Sequence, residues 1–218
     1  MSLKNNKKQD IVLFGAGGFG KEVMWMLEEA NRTRKTWNIR GFVDDTPAYQ
    51  GKTIQNYPVL GNTKWLLAQK KPLQVLCCLG NSKDRKMVVE KLSKNPHLTF
   101  PSFIANNVTM SPYMKMGNGC IICSSVVMTV GITIGDFVII NYHATICHDS
   151  VIENFVSIYP SVNISGFVHI GAASHIGVGS QILPHVTIGK SAVVGAGAVV
   201  LKNVATHTTV AGVPAKPL

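Results

Sequence analysis

The sequence predicts a small Rossmann-like α/β domain followed by a parallel β-helix, and two features predict it. Over the first hundred residues, short apolar strands alternate with helical segments, and the first strand leads directly into a glycine-rich loop. From residue 104 onward the chain repeats every six residues instead. We therefore expect a flexible N-terminus over 1–9, an α/β domain over 10–103, and a β-helix with a C-terminal tail over 104–218.

Five segments of the sequence predict the α/β domain. "DIVLF" (10–14), "NIRGFVDD" (38–45) and "PLQVLCCLGNS" (72–82) are apolar strands that end in glycines or polar residues. "KEVMWMLEEAN" (21–31) and "DRKMVVEKLSKN" (84–95) have helical character, and Ser82 is the expected N-cap of the second helix. Alternating strands and helices predict a parallel sheet.

The six-residue repeat is clearest at the first position of each hexad, which we call the lead residue. The lead residues are all apolar: Ile104, Met110, Met116, Ile122, Met128, Ile134, Ile140, Ile146, Ile152, Ile158, Ile164, Ile170, Ile176, Ile182, Ile188, Val194 and Val200. Small or aliphatic residues recur four positions later, and glycine often follows the lead residue, where we expect a tight corner. A hexapeptide period is typical of a parallel β-helix in which three hexads make one coil, so that every third hexad stacks.

The glycine loop "GAGGFG" follows the first strand and opens a helix. Gly15, Gly17 and Gly20 fit the GxGxxG pattern, and Asp44 and Asp45 end the next strand, where dinucleotide-binding domains place a ribose-binding acid. Three interpretations stay open: a nucleotide or nucleotide-sugar site, a purely structural turn, and an NAD site. The short domain disfavours NAD, because about 90 residues supply only one mononucleotide-binding half.

Composition narrows the function classes. Residues 1–103 contain 17 of the 21 Lys and Arg residues but 8 of the 11 Asp and Glu residues. This basic half fits either a solvated surface or an anionic ligand such as a diphosphate, and no nucleic-acid-binding motif accompanies it. No apolar run is long enough to span a membrane. Five irregularly spaced cysteines argue against a disulfide framework and favour the cytoplasm.

Ionisable residues are sparse in the repeat, and one stretch places several of them together. "NYHATICHDS" (141–150) places His148 and Asp149 side by side, with His148 close to a corner. Adjacent strand residues point to opposite faces, so the two side chains can pair only if the corner turns one of them. A buried structural histidine is the competing interpretation. Because a carboxylate can orient an imidazole, the pair predicts a general base.

Taken together, several motifs resemble those of the left-handed β-helix acyltransferases. "GAGGFG", "FVDD", "LGNS", the hexads, "NYHATICHDSVIENFVSIYPSVNISG" and "VAGVPAK" are similar to the sialic-acid O-acetyltransferase and nucleotide-amino-sugar N-acetyltransferase family across nearly the whole chain. The resemblance implies a nucleotide-sugar-binding α/β domain, a left-handed helix, and a homotrimer with acetyl-CoA bound between subunits.

The resemblance also implies roles for individual residues. His148 matches the general base, Asp149 its supporting acid, and Asn141 an acceptor-site residue. The nucleotide-sugar region matches at Gly17, Gly18, Asp44, Asp45, Gly80 and Asn81 and includes Phe19, and the acetyl-CoA region matches at Gly166, Val178 and Ala196 and includes Ser157. Phe19 stands where many members have histidine, and Ser157 stands where some do. The resemblance therefore implies that the surroundings of the acceptor and of the acyl group differ here.

The repeat distance bears on these acetyl-CoA positions. Gly166 follows His148 by one full coil of three hexads, and Ala196 follows Val178 by the same distance, so each pair stacks. The two stacks are separated by a full coil plus two hexads and therefore lie on different faces of one prism. We expect a cosubstrate that touches both stacks to lie between neighbouring subunits.

The expected reaction is acetyl transfer from acetyl-CoA to an amine of a nucleotide-linked amino sugar, without a metal. The CxxC of Cys120 and Cys123 has no second cysteine pair, which disfavours a metal site. Two alternatives remain. The first is another acetyltransfer, either O-acetylation of a free sugar such as sialic acid or acetylation of an amino acid. The second is a non-enzymatic scaffold that binds nucleotide sugars.

Overall fold

The computed structural model describes residues 8–218 and confirms the predicted fold class. The described chain divides into two compact units. The first contains the described residues through Leu79 together with Met87–Pro101, and the second contains Gly80–Lys86 and Ser102–Leu218. Most of the predicted flexible N-terminus lies outside the described residues, but Gln9 already belongs to the first strand.

The first unit is built on a four-stranded parallel sheet. Its elements are β1 (Gln9–Phe14), α1 (Gly18–Thr33), β2 (Trp37–Val43), a 3-10 helix (Pro47–Tyr49), β3 (Thr53–Ile54), β4 (Tyr57–Pro58), α2 (Thr63–Leu67), β5 (Leu73–Cys77) and β6 (Leu98–Thr99). Helix α3 (Ser82–Leu92) begins in the second unit and belongs to the first from Met87 onward. The main sheet has the order β2-β1-β5-β6, and β3 and β4 form a separate antiparallel pair. Residues 11–14 of β1 are buried, as expected for the central strand of a parallel sheet.

The cap of α3 differs from the prediction. Oδ1 of Asn81 accepts hydrogen bonds from the backbone N–H groups of Lys83 (2.9 Å) and Asp84 (3.2 Å). The hydroxyl of Ser82 instead donates to the carbonyl of Ala173 at 2.9 Å. The predicted N-cap, Ser82, was therefore wrong by one residue, because a distant carbonyl takes its hydroxyl.

The second unit is a triangular solenoid of two-residue strands, each ending at a lead residue. The strands are β7 (Phe103–Ile104), β8 (Thr109–Met110), β9 (Lys115–Met116), β10 (Ile121–Ile122), β11 (Val127–Met128), β12 (Thr133–Ile134), β13 (Ile139–Ile140), β14 (Thr145–Ile146), β15 (Val151–Ile152), β16 (Ser157–Ile158), β17 (Asn163–Ile164), β18 (His169–Ile170), β19 (His175–Ile176), β20 (Gln181–Ile182), β21 (Thr187–Ile188), β22 (Val193–Val194) and β23 (Val199–Val200). β24 (Thr209–Ala211) and β25 (Lys216–Pro217) close the chain.

Three parallel sheets form the faces of this prism. The first face contains β7, β10, β13, β16, β19 and β22, and the second contains β8, β11, β14, β17, β20 and β23; β9, β12, β15, β18 and β21 form the third. Each strand from β7 to β20 pairs with the strand three hexads further along, as in Thr145↔Asn163 and Ile146↔Ile164. From Ile122 onward the lead residues are buried, and each buried aliphatic side chain contributes roughly 1.5–3 kcal/mol.

The corners are built differently from the expectation. The left-handed residue is the third after each lead residue from Met116 to Val194; it is often not glycine, with φ values of +58° at Asp149 and +60° at Ala173. The glycines directly after lead residues serve another purpose. A Cβ on Gly171 would lie 2.6 Å from the backbone nitrogen of Lys190, so close packing of successive coils requires glycine there.

Within residues 8–218, no helix has the length and apolarity needed to cross a membrane. Over the same range, no group of three or more His, Cys, Asp or Glu side chains could hold a metal ion.

Candidate active site

The glycine loop combines two required glycines with two open ones. Gly15 has φ of +106°, and a Cβ on Gly20 would lie 1.9 Å from the carbonyl oxygen of Gly15, so neither position accepts a side chain. A Cβ on Gly17 or Gly18 would meet no atom within 4 Å. Open backbone at the N-terminus of α1 can approach a ligand, with Phe19 half-buried beside it.

The two acids at the end of β2 hold backbone in place. Oδ2 of Asp44 accepts from the N–H of Ala16 at 2.7 Å, and its Oδ1 accepts from the N–H of Thr46 at 2.8 Å. The carboxylate of Asp45 accepts from the N–H (2.7 Å) and hydroxyl (2.6 Å) of Thr63. Asp44 therefore holds the glycine loop in place, and the predicted contact of Asp44 and Asp45 with a nucleotide sugar stays a prediction.

A buried arginine organises the segment Gly80–Lys86, which belongs to the second unit. Arg85 is fully buried, and its guanidinium donates to the carbonyls of Phe137 (3.0 Å), Phe155 (2.8 Å), Val156 (3.2 Å) and Gly80 (3.1 Å). The sequence did not single out Arg85, because carbonyl acceptors far along the chain leave no sequence signal.

Ser157 belongs to the same network. Its hydroxyl donates to the carbonyl of Gly80 at 2.7 Å and accepts from Nη2 of Arg85 at 3.0 Å. Ser157 is buried on the first face, apart from the corner that carries His148. The structure thus brings Ser157 together with Gly80, a residue predicted for the nucleotide-sugar region.

One coil beyond Ser157, His175 contacts the start of α3. Its Nε2 lies 2.8 Å from the hydroxyl of Ser82, and its ring stacks on Tyr159 with centroids 6.2 Å apart. Burial, and secondarily the positive charge of Arg85, lower the pKa of His175 below its ordinary value. The ring is therefore held in its neutral form at neutral pH.

The His148–Asp149 pair stands on the corner between the second and third faces. The left-handed conformation of Asp149 turns its carboxylate back toward the imidazole, and Oδ2 lies 2.9 Å from Nδ1 of His148. The two side chains are 51% and 49% exposed. Within residues 8–218, Nε2 of His148 makes no hydrogen bond, so a carboxylate orients the ring and leaves the opposite nitrogen available.

The next coil packs closely against this imidazole. A Cβ on Gly166 would lie 2.6 Å from Cε1 and 2.7 Å from Nε2 of His148, so glycine leaves the room that the ring occupies. A backbone hydrogen bond joins the two coils at this point, because the N–H of Phe167 donates to the carbonyl of His148 at 3.0 Å. Counting three hexads along the sequence placed Gly166 over His148, and the structure has them in contact.

The remaining predicted residues lie on a different corner, between the first and second faces. Asn141, Val178 and Ala196 follow β13, β19 and β22. Val178 and Ala196 stack, because the N–H of Gly197 donates to the carbonyl of Val178 at 2.8 Å. Both are exposed, whereas Asn141 is half-buried.

Two family models match the chain. Residues 10–92 match the PglD N-terminal domain, and residues 167–202 match the bacterial transferase hexapeptide (six repeats). The chain is 30% identical over 172 residues to GDP-perosamine N-acetyltransferase of Escherichia coli O157:H7, covering 78% of this chain and 76% of that protein. The chain belongs to the left-handed β-helix, hexapeptide-repeat acyltransferases. Like these relatives, it is an acetyltransferase.

Solved structures of the family agree over nearly the full length. The acetyltransferase domain of PglB from Neisseria gonorrhoeae FA1090, in complex with acetyl coenzyme A, has a TM-score of 0.88 at 32% identity and covers 97% of this chain and 100% of that one. PerB from Caulobacter crescentus, in complex with CoA and GDP-perosamine, has a TM-score of 0.85 at 26% identity, with 96% and 97% covered.

Proposed function

We propose that this enzyme transfers an acetyl group from acetyl-CoA to the amine of a nucleotide-linked amino sugar, with His148 as the general base. The observation that supports this most directly is the half-exposed His148–Asp149 pair, with a carboxylate at Nδ1 and, among the described residues, no hydrogen bond at Nε2. A half-exposed pair on a corner fits a reactive group better than a satisfied core histidine.

In the proposed reaction, the acceptor nitrogen attacks the thioester carbonyl carbon. His148 takes the proton that the nitrogen loses, and Asp149 stabilises the imidazolium. The C–S bond then breaks, the new amide forms, and the proton passes from His148 to the CoA thiolate. A backbone N–H near Gly166 stabilises the oxyanion, and the placement of two bound substrates supplies much of the rate.

The glycine loop of the α/β unit is the proposed nucleotide site. Gly17 and Gly18 leave the start of α1 open to a diphosphate, and Asp44 keeps the loop in that shape through the N–H of Ala16. The family resemblance adds Asn141 as a contact of the sugar. The Escherichia coli relative is named for GDP-perosamine, and the Caulobacter protein was solved with GDP-perosamine, so a GDP-linked amino sugar is the first acceptor to test.

The proposed acetyl-CoA site runs along the corners of the β-helix. Gly166, Val178 and Ala196 all lie toward the C-terminal coils from His148, which gives the direction of the pantetheine arm. Lys202 follows β23 on the same corner three coils later, about 14 Å along the axis. The phosphates of acetyl-CoA therefore meet a lysine on the same corner as the thioester.

We also propose a homotrimer with its active sites between subunits, located in the cytoplasm. The His148–Gly166 and Val178–Ala196 stacks occupy different corners of one prism, so one ligand reaches both only if two chains contribute. The exposed apolar side chains of the prism, among them Val151, Val178 and Leu201, fit a surface that another subunit covers.

The first test is thermal stabilisation of the purified protein by GDP-, UDP- and dTDP-sugars, with and without CoA. A selective shift with one nucleotide, plus a separate shift with CoA, is expected. Release of CoA thiol with the matching amino sugar, and an N-acetylated product in mass spectra, would complete the assignment. A CoA shift without any nucleotide response contradicts the proposed acceptor and favours a free sugar such as sialic acid. Nucleotide binding without turnover points to a scaffold.

A further inference from the structure

Two further rings accompany the imidazole of His148 on its corner. The ring of Phe167 lies edge-to-face with His148, with centroids 5.2 Å apart and planes at 88°. On the next coil, His185 stacks on Phe167, with centroids 5.0 Å apart and planes at 6°. The three rings form a column along the corner between the second and third faces.

Phe167 and His185 are in register one coil apart, and the coil spacing of a parallel β-helix, about 4.8 Å, accounts for most of their centroid distance. His185 therefore covers one face of Phe167, while His148, which is in register with Gly166, contacts the phenyl ring from the coil below. Because the planes of Phe167 and His148 are perpendicular, an edge of the imidazole points at the phenyl face. The edge closest to the upper coil carries Cε1 and Nε2, since both atoms lie within 2.7 Å of the Cβ position on Gly166.

The backbone does not require phenylalanine at this position. Phe167 has φ of +59°, and Ser161 and Ala173 hold the same left-handed corner position at +58° and +60°. Its side chain is 51% exposed, so it fills no core. A large side chain in a left-handed backbone conformation is unfavourable. The ring contacts of Phe167 with His148 and His185 offset this cost.

We propose that Phe167 is a positioning residue for His148, an inference that rests on the proposed role of His148 as the base. The phenyl ring limits rotation of the imidazole, so that Nδ1 keeps its hydrogen bond to Asp149 and Nε2 stays free of one. When His148 accepts the proton, its charged edge points at the electron-rich phenyl face, which favours the cation.

Among the described residues, Asp149 is in direct contact with His148, and the thiol of Cys147 precedes it in the chain. The coil below contributes Val130 and Gly131, which contact Asp149; the coil above contributes Gly166 and Phe167, and His185 lies beyond the phenyl ring.

The kinetic test compares Phe167→Ala, Phe167→Tyr and Phe155→Ala. Phe155 is the matched control, because it also has a left-handed backbone (φ +61°) and stacks on Phe137 at 5.2 Å, but on another corner. We expect Phe167→Ala to lower kcat about 3- to 30-fold with little change in either KM. Phe167→Tyr should retain most of the turnover, and Phe155→Ala should behave like wild type. Equal kcat losses at Phe167 and Phe155, or a change in the KM of acetyl-CoA alone, would overturn the proposal.

A second measurement does not depend on any substrate. A proton that points at a phenyl face is shielded by the ring current, so the Cε1–H resonance of His148, assigned with His148→Gln, should lie upfield. It should move downfield in Phe167→Ala and stay in place in Phe155→Ala. An unchanged resonance rejects the ring geometry. The expected resonance shift in a protein that transfers no acetyl group would reject the proposed function while leaving the ring column intact.

Discussion

The glycine loop and the His148 corner use the same residue types, glycine and aspartate, for different tasks. In the loop, Asp44 binds two backbone N–H groups, and Gly20 has no room for a Cβ. At the corner, the carboxylate of Asp149 hydrogen-bonds only the neighbouring imidazole among residues 8–218, and Gly166 makes room for a ring that is half-exposed. Asp44 and Gly20 thus hold the backbone, whereas the His148 corner stays open to solvent. We therefore expect substitutions in the loop to lower stability and substitutions at the corner to lower turnover.

The sharpest contrast lies within the loop itself. Gly20→Ala should prevent stable folding of the α/β unit, because the new methyl would lie 1.9 Å from the carbonyl oxygen of Gly15. Gly18→Ala should fold normally, since nothing lies within 4 Å. Urea unfolding and nucleotide-sugar titration would separate the two effects. A stable Gly20→Ala protein would show that the close approach is not required.

At the corner, His148→Ala should lower turnover by about 10² to 10⁴ while the fold and assembly persist. The side chain is half-exposed, so its removal leaves no core cavity. Acetyl-transfer rates at saturating substrates, with thermal stability measured in parallel, check the expectation. Unchanged turnover would eliminate His148 as the base.

The two aspartates give a matched pair of substitutions. Asp44→Asn places an NH₂ group against a backbone N–H and should cost about 1.5–3 kcal/mol of unfolding free energy. Asp149→Asn should change stability by less than about 0.5 kcal/mol and lower kcat instead. Chemical denaturation and steady-state kinetics on both variants decide the comparison. A reversed pattern would mean that the two carboxylates have been assigned to the wrong tasks.

The smallest expected effect is the pH dependence of stability that His175 causes. Its pKa is lowered in the folded protein, so below about pH 6.5 the unfolded chain binds the proton more readily and stability falls. Above that pH the effect is absent. The loss of unfolding free energy on acidification should be smaller in His175→Gln than in wild type. Identical pH dependence in the two proteins would contradict this assignment.

The parts of the fold that depend on repetition were predictable from the sequence. Lead residues such as Ile146 and Ile164 marked the coils, and counting one coil forward placed Gly166 over His148. The left-handed corner position was not predictable, because residues as different as Asp149, Phe167 and Ala173 occupy it and leave no glycine pattern in the sequence. Arg85 escaped for another reason: a side chain that binds carbonyls of distant corners depends on tertiary structure alone.

In the corners, the backbone conformation is constant while the side chain varies. Each left-handed turn presents one residue outward whatever its identity, and the aliphatic core behind it does not change. Reactivity in this architecture is therefore modular: a catalytic pair can be relocated along the axis in steps of one coil, and neighbouring positions can be altered for a new acceptor, without rebuilding the scaffold that carries them.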